Sequence, residues 1–117
     1  MTIIEGNKLI AEFMGWEKSP YPNTPDKLYR DDDKNEKQLS IHVSQLLYHS
    51  SWDWLMPVVD KIGNKIIKYN LTPNNVIFRV EEDDSFDVVV KTNGNLLNAT
   101  WEACVQFIQW YNENKTL

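Results

Sequence analysis

The sequence predicts an α+β fold, a small antiparallel sheet layered with three helices. Three observations predict it. Segments 51–69 and 96–113 repeat apolar residues at the spacing of a helix. Between them, the apolar residues of 76–90 alternate as in a strand hairpin. At the N-terminus, Thr2-Ile3-Ile4-Glu5 has the Thr-x-x-Glu spacing of a capping box.

In the first element, expected over 2–14, Ile3, Ile10, Phe13 and Met14 share one side and Glu5, Lys8 and Glu12 the other, with Gly15 placed to end the helix. From 15 to 47 the chain holds Pro20, Pro22 and Pro25 and the run Asp31-Asp32-Asp33-Lys34. It reads as a long loop with short extended pieces near 27–29 and 39–43 that can add edge strands. Ser50 is the expected N-cap of a second helix, 51–69. Its stripe is Trp52, Leu55, Val58, Val59, Ile62, Ile66 and Tyr69, and its phase continues across Gly63.

Thr72-Pro73-Asn74-Asn75 breaks that pattern. Val76, Phe78 and Val80, then Phe86, Val88 and Val90, form the arms of a hairpin over 75–92, and Asn93-Gly94-Asn95 closes it. The last helix, 96–113, carries Leu97, Trp101, Cys104, Ile108 and Tyr111 flanked by Ala103, Phe107 and Trp110. At 100° per residue this arc spans about 220°, wide enough to require two packing partners, the sheet and a helix or a second chain.

At 117 residues, with 42% hydrophobic and 25% charged residues, the chain has the composition of one folded domain, 1–117. No apolar run approaches the roughly 20 residues of a membrane helix, and the first residues lack the pattern of a signal peptide. A cytoplasmic chain is expected. The three Asn-x-Thr triplets at 70, 98 and 114 are then chance matches. A net charge of −5 and only two arginines among twelve basic residues argue against direct nucleic-acid binding.

Catalytic and cofactor signatures are thin, and the chain reads as a non-enzyme without metal or cofactor. His49 and Asp53, four apart beside Ser50 and Ser51, resemble part of a small hydrolase site. No nucleophile elbow accompanies them, and helix capping explains the same residues. Asp31-x-Asp33-x-Asn35 begins like a calcium loop but has Glu36 at the glycine position and His42 at the bidentate glutamate position. Cys104, between Ala103 and Val105, reads as core. Glycines at 6, 15, 63 and 94 make no phosphate loop.

The acidic clusters Asp31, Asp32, Asp33 and Glu81, Glu82, Asp83, Asp84 keep loops solvated. On one face they would instead make a decoy of a nucleic-acid-binding host protein. Fourteen aromatic residues, five of them Trp, are the stronger signal, because aromatic side chains dominate interface hot spots. Trp52 and Trp101, central on their stripes, are expected in the core. Trp54 and Trp110 at stripe edges, with Tyr21 and Tyr29 in the long loop, are the candidate contacts for a protein partner, a second copy of the chain included.

The blocks Leu9–Trp16, Tyr48–Ile62 and Trp101–Asn112, with Ser-Trp-Asp-Trp-Leu-Met-Pro and Phe-Ile-Gln-Trp-Tyr-Asn as their distinctive strings, resemble the phage ABA-sandwich domain family of small phage and prophage proteins. The resemblance implies a sheet layered with helices and a setting in a bacterial virus or mobile element. It transfers no reaction and no residue roles.

Overall fold

The computed structural model of the protein describes residues 2–19, 23–24, 26–32, 37–66, 68–80 and 87–114, with the backbone alone at 31, 32, 37, 38 and 114. Three helices and two three-stranded antiparallel sheets make it α+β. It divides into two compact units, Met1–Leu46 and Leu47–Leu117.

In the first unit, α1 (Ile3–Phe13) starts where the Thr2 side chain accepts the Glu5 N–H at 3.1 Å. Its end is a Schellman motif: the Trp16 N–H donates to the Ala11 carbonyl (2.9 Å), the Gly15 N–H donates to the Glu12 carbonyl (3.2 Å), and Gly15 takes φ +104°. The helix buries Gly6, Asn7, Ile10 and Ala11. Ile3, expected on the packed side, is 52% exposed instead, because burial begins only at Gly6, one turn further in. Asn7 is buried with its amide donating to the Leu46 carbonyl at 3.2 Å, which compensates its desolvation.

The segment expected as a loop, 15–47, is largely a meander: β1 (Glu17–Lys18), β2 (Lys27–Asp32) and β3 (Lys37–His42), in the order β1-β2-β3, then a 3-10 turn Val43–Gln45. Its strands are mostly polar, so period-two alternation was nearly silent. Leu28, buried and opposite Ile41, is the main apolar anchor. These strands pair among themselves and not with the hairpin of 75–92, contrary to the extension considered from sequence.

In the second unit, α2 (Trp52–Gly63) has Ser51, not Ser50, at its N-cap. It buries Leu55, Val58, Val59 and Ile62. The helix expected to reach residue 69 stops at Gly63, and β4 (Lys68–Leu71) takes the remainder. Gly63 and Asn64 are weak helix formers, and pairing with β5 (Asn75–Arg79) supplies the backbone hydrogen bonds that the extra turns would have made. It also sets Tyr69 opposite Phe78, the rings edge to face at 6.4 Å. A Cβ on Gly63 would lie 3.1 Å from the Tyr69 ring, so glycine gives that ring room.

β6 (Asp87–Lys91) completes a sheet of order β4-β5-β6. Val76, Phe78, Val88 and Val90 form its buried face, in cross-strand pairs Val76–Val90 and Phe78–Val88. Asn93 (φ 48°) and Gly94 (φ 88°) turn the chain into α3 (Leu96–Asn114), where the Asn95 side chain accepts the Asn98 N–H at 3.0 Å. As its wide apolar arc requires, α3 packs on β5 and β6 and also on α2. None of the described helices is long and apolar enough to cross a membrane.

Candidate interaction surface

The start of α2 holds the largest concentration of sequence-predicted side chains. Residues 48–50 form a tight turn, the Ser50 and Ser51 N–H groups both donating to the Leu47 carbonyl at 3.1 and 3.0 Å. The turn buries Tyr48 and brings its ring edge to face against half-buried Trp54, centroids 5.2 Å apart and planes at 87°. Leu47 is 41% exposed on one side of this turn and Trp52 37% exposed on the other. Trp52 was expected in the core, and the structure corrects this: it shares a helical side with Val59, but it stands in the first turn, before burial begins at Leu55. Half-buried Met56 follows Trp52 by four residues, on the same helical side.

A second aromatic group lies toward the end of α3. Buried Phe107 stacks on Tyr111 (5.9 Å, 20°) and meets half-buried Trp110 at 6.0 Å. The Lys65 ammonium sits 5.1 Å from the centre of the Tyr111 ring, a cation–π distance. Trp101, by contrast, is core at 7% exposure.

The other candidates separate by position. Tyr29 is half-buried on β2, opposite Glu17 and Ser40. Asp31 and Asp32 end β2, opposite Gln38 and Lys37, with only their backbone described. Tyr21, Asp33, Glu81, Glu82, Asp83 and Asp84 lie outside the described residues, and with them the proposed acidic face.

His49 is half-buried in the turn, and Asp53 is exposed in the first turn of α2, where a carboxylate complements the helix dipole. Cys104 is fully buried, and burial pushes its thiol well above the ordinary range, the opposite of what a nucleophilic thiolate requires.

One imidazole–hydroxyl pair escaped sequence reasoning. His42 Nδ1 lies 2.7 Å from Ser44 Oγ and accepts the Ser44 N–H at 3.1 Å, while the His42 N–H donates to Gln45 Oε1 at 3.0 Å. This capping box on the 3-10 turn accounts for both side chains. Leu47 was also missed, since a lone leucine before a turn carries no periodic signal. No family model matches this chain, and neither a curated protein nor a solved structure matches it.

Proposed function

We propose that this chain is a non-catalytic protein-binding factor, and that its setting is a phage or prophage, as the resemblance of its helical blocks implies. The observation that carries the reading is the exposure of Trp52 and Leu47, which flank one tight turn in sequence. A tryptophan 37% exposed at the start of a helix leaves part of its burial term unrealised, and tryptophan is the residue most enriched in interface hot spots. Trp110, Tyr29 and Tyr21 are secondary contacts in this proposal.

The test is affinity capture from host lysate with wild-type, Trp52→Ala and Trp110→Ala proteins in parallel, at low and high salt. A partner held by the wild type at both salts and lost from Trp52→Ala, with unchanged circular dichroism, supports the reading. Identical capture by wild type and variants removes the surface from consideration. Loss of the partner at high salt alone would move the contact to charged groups.

A further inference from the structure

β6 is an edge strand: among the described strands it pairs with β5 on one side and with nothing on the other. Its sequence is Asp87-Val88-Val89-Val90-Lys91, and Val89 is 57% exposed, the most exposed of the large hydrophobic residues described. Natural edge strands are commonly blunted by proline, a bulge or a lysine in mid-strand. β6 keeps its charges at its two ends and places three β-branched residues between them.

The backbone parity of this edge follows from the hydrogen bonds beside it. The Thr92 N–H donates to the Asn74 carbonyl at 3.2 Å, one position beyond the Asn75–Lys91 pair. In an antiparallel ladder, bonded and non-bonded pairs alternate. The backbone groups of Val88 and Val90 therefore face β5, and those of Asp87, Val89 and Lys91 face the open side. On the β4 side the Thr72 N–H donates to the Asn75 carbonyl at 3.0 Å, which gives the same parity independently.

From this geometry we infer that two copies of the chain associate through β6, antiparallel about a two-fold axis at Val89, joining their sheets into one of six strands. The strand is complementary to itself when reversed. In this register Val89 faces Val89 of the second copy, Asp87 faces Lys91, and Lys91 faces Asp87. All three outward-facing residues fall on hydrogen-bonded positions, giving about six main-chain hydrogen bonds. A register displaced by one residue would set outward-facing backbone groups against inward-facing ones and separate the opposite charges.

In this register Lys91 of the second copy takes the strand position opposite Asp87, which has Arg79 opposite it on β5. The seam is only about 16 Å long at 3.3 Å per residue, short for an interface, so the pair should dissociate on dilution. This inference is independent of the tryptophan surface, which lies on other residues.

The test is sedimentation velocity on the intact protein across about a hundredfold range of concentration, spanning the weak-dimer regime. The wild type should shift from monomer to dimer as concentration rises. Lys91→Glu and Val89→Lys change exposed side chains and should leave circular dichroism unaltered. Because the two-fold repeats each substitution, Lys91→Glu makes two like-charge pairs and Val89→Lys sets lysine against lysine. Each should weaken dimerisation about tenfold or more. The exchanged variant Asp87→Lys with Lys91→Glu, if folded, should restore it. A wild type that stays monomeric throughout, or a dimer unaffected by both Lys91→Glu and Val89→Lys, would overturn the inference, whatever the capture experiments show of Trp52.

Discussion

The rings of Tyr48 and Trp54 meet edge to face, centroids 5.2 Å apart and planes at 87°, and so tie the turn before α2 to its first helical turn. Tyr48 is buried and Trp54 half-buried, so the two contribute unequally. Tyr48→Ala should cost about 3 kcal/mol or more and Trp54→Ala less. A double-mutant cycle in urea should return a coupling of about 0.5–1.5 kcal/mol. Simple additivity would show that the ring contact contributes nothing beyond area.

The five tryptophans should divide by fluorescence. Trp52→Phe should remove red-shifted emission that acrylamide quenches readily, and Trp101→Phe should remove blue-shifted, protected emission, following their 37% and 7% exposures. Trp52→Ala should cost clearly less unfolding free energy than Trp101→Ala, since more of the Trp52 side chain is exposed. A large loss would mean that Trp52 is packed and would weaken the proposed surface.

Cys104 should resist thiol reagents in the native protein and react at once in denaturant. Its folded thiol is held protonated by burial, whereas the unfolded thiol ionises near pH 8.5. Raised folded ionisation means that this stability is fully present below the unfolded value and is lost as pH rises above it. The wild type should lose up to about 1.4 kcal/mol per pH unit more than Cys104→Ala in that range. Parallel pH profiles for the two proteins, measured by chemical denaturation, would contradict it.

Gly15 and Gly63 should respond differently to alanine. At Gly15 a Cβ meets nothing within 4 Å, but φ of +104° is strained for any L side chain, so Gly15→Ala should cost about 1 kcal/mol or more. At Gly63 the backbone is helical and the obstacle is the Tyr69 ring. Gly63→Ala should therefore stabilise more in a Tyr69→Ala background than in wild type, by up to about 1 kcal/mol of helix propensity. Equal effects in both backgrounds would remove the ring as the reason for glycine.

Where local chemistry decided structure, it was readable. The Thr2 cap, Gly15 as the helix end, the alternating valines of β5 and β6, and the wide arc of α3 follow from spacing that each segment carries within itself. The polar meander of β2 and β3 was nearly silent, because strands held by backbone pairing with one buried leucine leave little alternation to detect. The helix carried through Gly63 failed for a related reason. Ile62, Ile66 and Tyr69 keep a helical phase, but only the availability of β5 as a pairing partner decides that 68–71 is extended. At the candidate surface, Trp54 and Trp110 are half-buried, whereas Trp52, expected in the core from its central place on the stripe, is 37% exposed.

The sequence by itself determined the α+β class, the three helix starts within a residue or so, the apolar alternation of Val76, Phe78, Val88 and Val90, and the burial of Cys104. These depend on periodicity and capping, which act over a few residues. Only the tertiary structure decided which stripe positions reach the core, where α2 yields to β4, and that β6 is left at an edge with Asp87, Val89 and Lys91 facing outward. Those outcomes depend on which segments, distant in sequence, compete to pair with the same backbone and cover the same apolar face.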